Sequence, residues 1–324
     1  MLDSVEGVSE WRTSAGETAL TIGNFDGCHV GHGALVRKAR ALVGSGGRVV
    51  AMCFWPHPTA VLRPESAAPV LSTIERRERL LREMGADEVI RLEPTPALLG
   101  MTPEAFVSGV IAGTGATHVV EGGDFRFGKG RAGDVGTLAA LGRSHGFEVH
   151  VVETVEVSMS DQQIAPASSS LVRWLVSNGR VEDAARVLGR AYVIDGVVER
   201  GDRRGREIGF PTANVRTECL PPMEGIYAGL VHLEDGRSMT GAIHVGRRLT
   251  FDDPRPTVEA FVLDWGGPVG EGRREYGWKI AVEFRYWVRD QLKFAGVEPL
   301  VEQMRRDVAR VGEMMSGVAQ GVGA

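Results

Sequence analysis

The chain has 324 residues, 43% of them hydrophobic and 24% charged, with a formal net charge of −5. At roughly 100–200 residues per domain this is enough for two domains, each with a core of its own, and the ordinary apolar fraction excludes a mainly disordered chain. The negative balance argues against a nucleic-acid-binding surface, and the uncharged stretch Ala105 to Val120 is broken by glycines and a histidine, so no membrane span is expected.

The first half alternates strand and helix. Thr18 to Gly23 reads as a short buried strand ending in glycine. Leu35, Ala39, Leu42 and Val43 then recur at helical spacing until Gly44. Arg48 to Phe54 is a second apolar strand, and Ser72 with Glu75 forms a capping box opening a helix through Leu80, Leu81 and Met84. Val89 to Leu92, Thr117 to Glu121 and Phe147 to Val152 read as further strands, with Thr102-Pro103 opening a helix between them. Such alternation predicts a parallel sheet covered on both faces, with ligands beyond the carboxyl ends of its strands.

The pattern changes after the short helix Val181 to Leu188, which Gly189 closes. Ala191 to Val198, Ile226 to Leu233, Met239 to Val245, Val258 to Leu263 and Ile280 to Val288 read as strands of a small antiparallel barrel or sandwich. A last helix, about Pro299 to Met315, carries Leu300, Met304, Val308 and Val311 at helical spacing, and the glycine-rich tail from Ser316 is expected to fray. Cys28, Cys53 and Cys219 are too few for a disulfide framework, and no signal-peptide pattern opens the chain, so the cytosol is the expected compartment.

Two constellations carry chemistry. In the first, Gly23-Asn24-Phe25-Asp26-Gly27-Cys28-His29-Val30-Gly31-His32, the glycines allow close backbone approach to a ligand and the next helix offers free N–H groups to phosphates. His29 and His32 could stabilise charge building on phosphoryl oxygens. Taken alone, the run also fits a glycine-rich turn with two incidental histidines. Cys28 beside them sets metal-capable groups together, but no second ligand pair at fixed spacing accompanies them. In the second, Gly201 to Asn214, glycines at every fourth residue suit a loop that wraps phosphates, and Thr212 and Asn214 offer neutral oxygens suited to Mg²⁺ held with ATP.

The first run resembles the signature of the HxGH nucleotidyltransferases. More closely, the chain is similar to the bacterial bifunctional riboflavin kinase/FAD synthetases. Phe54-Trp55-Pro56-His57-Pro58 resembles that family's F-x-P-H-P, and Gly122 to Arg131 (GGDFRFGKGR) resembles its G-x-D-F-R-F-G-K-G-R loop. Gly123 to Lys129 also fits the first positions of a P-loop, but Gly130 stands where Ser or Thr would bind magnesium, so the family's loop is the better reading. Ser168-Ser169-Ser170-Leu171-Val172-Arg173 resembles S-S-T-R-I-R, with Leu171 in place of an Arg. Gly209-Phe210-Pro211-Thr212-Ala213-Asn214 resembles the riboflavin kinase signature G-F-P-T-A-N, and Val258-Glu259 with Leu263-Asp264 resembles V-E-x-x-x-L-D. Tyr276-Gly277 and Arg289-Asp290 with Lys293-Phe294 resemble later elements near the flavin. His244 to Phe251 departs from N-I-G-x-R-P-T-F by His for Asn and Leu for Pro, keeping Arg248 and Thr250.

The resemblance implies an α/β Rossmann-like nucleotidyltransferase domain over residues 1–182 and a β-barrel kinase domain with a terminal helix over 183–324. It implies phosphorylation of riboflavin to FMN by the second and adenylylation of FMN to FAD by the first, both with MgATP, FMN and FAD serving as product and substrate. It assigns catalysis to His29, His32 and Glu259, the last as the base that deprotonates the ribityl hydroxyl. It assigns nucleotide binding to Gly23, Asn24, Phe25, Asp26, Gly31, Asp124, Ser168, Ser169, Ser170 and Arg173 in the first half and to Gly201, Gly205 and Gly209 in the second. It assigns flavin contacts to His57, Phe125, Tyr276 and Arg289, and metal coordination to Thr212 and Asn214. ATP, riboflavin and FMN are the expected partners, with no nucleic acid and no membrane. Leu171 leaves open a kinase whose first half is impaired or retuned, and a flavin-binding regulator without turnover is the third reading.

Overall fold

The computed structural model describes residues 16–201, 204–247, 256–264 and 276–317. Asp202, Arg203, Arg248, Thr250 and the tail beyond Gly317 lie outside the described residues. The chain divides into two compact units: one takes the chain up to Ala68 with Ile74–Val157 and Ala165–Ser169, the other Pro69–Thr73, Ser158–Ile164 and everything from Ser170.

The first unit is a five-stranded parallel sheet of β1 (Thr18–Gly23), β2 (Arg48–Phe54), β3 (Glu88–Leu92), β4 (His118–Gly122) and β5 (Glu148–Val152), in the order β3-β2-β1-β4-β5. Alternate side chains of each strand enter opposite cores, as the near-continuous apolar runs require. Leu20, Ile22, Val50, Met52 and Val119 meet Phe106, Ile111 and Leu138 on one face. Ala19, Val49, Ala51 and Val120 meet Val36, Ala39 and Leu81 on the other. The helix predicted after Ser72 starts at Ile74, one residue later than a Ser72 cap would set it. Thr102 caps the helix Pro103–Phe106 as expected, its hydroxyl accepting from Ala105 N–H at 3.2 Å.

Strand order reverses at β1, the point where such sheets open a crevice. The register between β1 and β4 covers only Ala19–His118 and Leu20–Val119. Beyond it, Ile22 N–H donates to Oε1 of the buried Glu121 at 2.7 Å, so a side chain takes over where the ladder stops. Burial pushes the Glu121 carboxyl well above the usual carboxylate range.

A two-stranded ribbon of β6 (Glu156–Ser158) and β7 (Ile164–Pro166) follows, and then the helices Ser169–Ser177 and Val181–Leu188. The second unit is a closed antiparallel barrel, which decides between the barrel and the sandwich. Its strands are β8 (Tyr192–Glu199), β9 (Ala213–Arg216), β10 (Gly225–Leu233), β11 (Ser238–Arg247), β12 (Pro256–Val262) and β13 (Lys279–Arg289), in the order β10-β11-β12-β9-β8-β13. Val258, Ala260, Ile243, Val245 and Val215 are buried, whereas their neighbours His244, Glu259 and Asn214 are half-buried on the other face. The helix Val297–Met315 follows the barrel, with Val311 and Met315 packed against Ala228 and Leu230.

Glu121 gives the fold a test with a defined sign. Burial favours the protonated carboxyl in the folded chain, so stability falls as pH rises from the unfolded value of 4.5 toward the raised folded one. Glu121→Gln keeps an acceptor for Ile22 N–H and removes that loss; its melting temperature at pH 8 should equal or exceed the parent's. Glu121→Ala orphans the N–H and should cost about 1–3 kcal/mol in denaturant titrations.

Candidate active sites

In the first unit, three loops leave the carboxyl ends of the neighbouring strands β2, β1 and β4. The turn after β1 is tightly folded: Phe25 and Cys28 take positive φ (49° and 45°) without being glycine, and Gly27 lies between them at 78°. What holds it is Arg77, only 2% exposed although it comes from the charged run Glu75–Arg79. One guanidinium nitrogen donates to Asn24 O at 2.7 Å, the other to Asp26 Oδ1 at 2.8 Å, and Trp55 lies under the plane with its ring centre 5.0 Å away. Both members of the ion pair are buried.

His29 precedes the first turn of the helix Val30–Val43, with its N–H donating to His32 Nδ1 at 3.2 Å. The two imidazoles stack with centroids 3.6 Å apart, and Phe25 meets His32 edge-on at 5.1 Å. A Cβ on Gly31 would come within 3.0 Å of the His29 ring, which is why glycine stands between the histidines. Asn24 Oδ1 is buried with no hydrogen-bond partner, a polar atom held at the mouth of the turn. The Cys28 thiol points inward and donates to Phe25 O at 3.2 Å. Ser169 Oγ donates to Asp26 O at 2.7 Å, Ser168 lies beside it in sequence, and Ser170 is exposed at the start of its helix. In the second unit, Arg173 Nε donates to Pro69 O at 2.7 Å.

After β2, His57 caps the helix Pro58–Leu62, its Nδ1 accepting from Thr59 N–H at 3.2 Å. After β4, Phe127 anchors the Gly122–Arg131 loop: it pairs with Gly133 through two backbone hydrogen bonds and packs against Phe106 and Phe125. Asp124 and Arg126 are thereby turned to solvent and Phe125 is half-covered. Lys129–Arg131 is a 3₁₀ turn and the next α-helix waits until Val135, unlike a P-loop.

In the second unit, Glu259 lies on the wall of a cavity of about 290 Å³. Strand alternation sends its apolar neighbours into the barrel and Glu259 outward, where the cavity's walls cover it. Register sets His244, Glu259, Asn214 and Glu199 side by side across β11, β12, β9 and β8. The Thr212 hydroxyl faces Glu259 Oε2 at 3.5 Å, a loose contact. Gly201 packs flat against the Asn214 amide, where a Cβ would sit 2.1 Å from Nδ2. Gly205 also lines the cavity, within the short helix Arg204–Glu207, and Gly209 turns the chain after it with φ 86°. Arg289 lines the cavity as well, but its guanidinium is committed to the buried Asp307 through bonds of 2.8 and 2.6 Å, and Gln303 donates to the same carboxylate at 2.9 Å. Tyr276 stands before β13 and is not among the described residues lining the cavity.

The FAD synthetase family model matches residues 12–166 and the riboflavin kinase family model residues 188–315. The bifunctional riboflavin kinase/FMN adenylyltransferase of Listeria monocytogenes is 32% identical over 89% of each chain. The chain belongs to that bifunctional family. The enzyme of the same description from Escherichia coli K12 is also 32% identical, over 89% of this chain and 90% of its own. A crystal structure described as a macrolide-efflux protein of Streptococcus pneumoniae shares the fold at a TM-score of 0.77, with 27% identity over 91% of this chain and 93% of its own.

Arg77, His244, Gln303 and Asp307 escaped the sequence reading as contributors to these sites. Asp307 was detectable in principle: it sits three residues after Met304 and four before Val311, an acid inside the apolar stripe of the last helix. Arg77 carried no such mark in a helix turn full of charges.

Two bifunctional-enzyme variants test these placements. Arg77→Met removes the buried guanidinium that bonds Asp26 and Asn24; breaking a buried ion pair costs about 3–5 kcal/mol. FAD formation from FMN should be lost in this variant while phosphorylation of riboflavin persists, read by chromatography of the flavins. For His244, burial, only partly opposed by Glu259, holds the imidazole below its usual 6.5. As pH drops below 6.5 the unfolded chain takes the proton first, so stability falls with acidification. The decline in melting temperature of the barrel between pH 7 and 5 should be shallower in His244→Gln.

Proposed function

We propose that the chain makes FAD in two steps: its barrel unit transfers the γ-phosphoryl group of ATP to the 5′-hydroxyl of riboflavin, and its sheet unit joins the resulting FMN to the adenylyl group of a second ATP. The division of labour follows residues 183–324 for the first step and 1–182 for the second. The observation that carries the reading is Glu259, a carboxylate on the wall of a largely apolar cavity, in cross-strand register with Asn214 and facing Thr212.

In the barrel unit, Glu259 takes the proton of the ribityl hydroxyl as its oxygen attacks the γ-phosphorus in line, and ADP leaves. Phe261, Phe294 and Leu300 supply the apolar walls that a flavin ring needs. Thr212 and Asn214 would hold Mg²⁺: beside Glu259 they form an all-oxygen donor set, which suits a hard cation. Bound there with ATP, Mg²⁺ supplies neutralisation of phosphate charge. Arg289 positions the end of β13 against the last helix through Asp307 and leaves flavin contact to its aliphatic stem.

In the sheet unit no general base is required, because the attacking oxygen belongs to the FMN phosphate, already anionic at neutral pH. That oxygen attacks the α-phosphorus of ATP and pyrophosphate leaves. His29 and His32, stacked at the start of a helix, are placed to donate to phosphoryl oxygens as charge grows on them. Asn24, Asp26 and Gly31 shape the turn, Ser168–Ser170 open the helix expected to meet phosphate, and Phe125 and His57 stand on the loops beside β1. No helix among the described residues is long and apolar enough to cross a membrane, and ATP as donor for both steps fits an enzyme of the cytosol.

Leu171 motivates a second reading, a kinase with a retuned sheet unit, since the helix Ser169–Ser177 lacks the guanidinium that the family pattern places there. A chromatographic time course separates the two: riboflavin with MgATP should yield FMN and then FAD, and FMN as starting flavin should yield FAD directly. FMN accumulating from riboflavin, with no FAD from either start, favours the second reading. Glu259→Gln should lower riboflavin phosphorylation by about 10²–10⁴-fold and spare FAD formation from supplied FMN. His29→Ala should slow FAD formation by about 10²-fold or more, so that FMN accumulates; loss of both activities in either folded variant contradicts the two-site assignment.

A further inference from the structure

At the end of the sheet opposite the glycine-rich turn, β4 and β5 bring three metal-capable side chains together. His118 pairs in register with Glu148, and Val120 with His150, so both histidines and the glutamate project from the same face. His118 Nδ1 lies 3.1 Å from His150 Nε2, and His150 Nε2 lies 3.7 Å from a Glu148 carboxylate oxygen. One ligand atom from each of the three falls within 4.8 Å of the others. Two nitrogens bound to one zinc ion at about 2.0–2.1 Å in tetrahedral geometry stand roughly 3.3 Å apart, which is close to the spacing found. The other nitrogen of His118 faces the Glu17 carboxylate at 4.0 Å, beyond hydrogen-bond distance but close enough for a small movement to make the outer carboxylate bond that fixes a ligating imidazole's tautomer.

We propose that His118, His150 and Glu148 form a binding site for a zinc-class divalent cation, with Glu17 orienting His118. The two imidazoles are mostly covered and Glu148 is open to solvent, so an ion can enter from one side and keep water in its fourth position. Nitrogen and carboxylate ligands of this kind favour zinc or cobalt over magnesium, which separates the site from the metal that accompanies ATP. Its effect is structural: β5 is an edge strand, and the ion would join it to β4 beyond their backbone ladder.

The test uses the full chain, stripped of metal by a chelator and titrated with Co²⁺ alone, without nucleotide or Mg²⁺. A single equivalent should bind with visible ligand-field bands, be displaced by Zn²⁺, and persist in the double variant His29→Ala/His32→Ala. His118→Gln and His150→Gln should each weaken binding at least about tenfold, since even outer-shell losses cost 10–100-fold. Glu148→Gln changes an exposed side chain that the fold does not need, and should weaken binding likewise while riboflavin phosphorylation is unchanged. Zn²⁺ should also slow amide exchange in β5 of the unmodified chain. No uptake at millimolar Co²⁺, uptake abolished by His29→Ala/His32→Ala, or an unaltered affinity in Glu148→Gln would each overturn the proposal.

Discussion

The hydrogen bond from Ile22 N–H to the buried carboxyl of Glu121 is the smallest contact on which the sheet unit depends. A parallel sheet can open a crevice only where two strands part, and parting strands strand their backbone donors in a dry interior. Here β1 and β4 share a ladder for two residue pairs and then separate, and a side chain from β4 receives the donor that the ladder gives up. A carboxyl serves because it reaches across the gap, and because burial favours its uncharged form by pushing its pKa well up. The carboxyl ends of β1 and β4 can then diverge into the His29–His32 turn and the Gly122–Arg131 loop with the Ile22 N–H satisfied.

The barrel unit solves a different problem. Its strands close into a barrel without parting, and its candidate site is built on an outer face from residues of one cross-strand row. Such a row is normally wet. The helix Val297–Met315 and the segment from Gly205 to Thr212 wall it in, leaving His244 and Glu259 beside an apolar cavity. The Arg289–Asp307 pair, with Gln303 on the same carboxylate, fastens that helix to the end of β13. This pair uses charge for placement, while Ile226, Phe261, Phe294 and Leu300 supply apolar wall beside Glu259.

These two constructions explain what could be read from the sequence. Elements with strong periodicity were legible almost to the residue: β1 and β2 match their apolar runs, and Gly44 and Gly189 end the helices they were expected to end. The four-residue β9 was not, because Ala213–Arg216 is too short to show alternation, although it carries Asn214. Motifs marked the loops, since glycines, histidines and prolines cluster there. Groups that support the motifs from a distance in sequence left little trace. Arg77 looks like any surface arginine of a charged helix, and its burial follows from Trp55 and Asp26, which only the fold brings to it. Likewise His244 reads as a departure from a pattern until β11 sets it beside Glu259.

The turn after β1 also shows why such support is needed. Left-handed backbone at Phe25 and at Cys28 each costs of order 1–3 kcal/mol, and Asn24 Oδ1 adds a buried acceptor without a donor. A turn with those features unfolds locally unless other contacts over-determine it. The ring of Phe25 is buried, the Cys28 thiol is bonded back to Phe25 O, Ser169 reaches Asp26 O, and Arg77 bonds both Asn24 O and the Asp26 carboxylate. The contacts are spread over the whole turn and converge on its backbone, which is where the strain lies. Held this way, His29 and His32 are fixed in their stacked geometry by the turn itself, the kind of preorganisation that the proposed transfer role calls for.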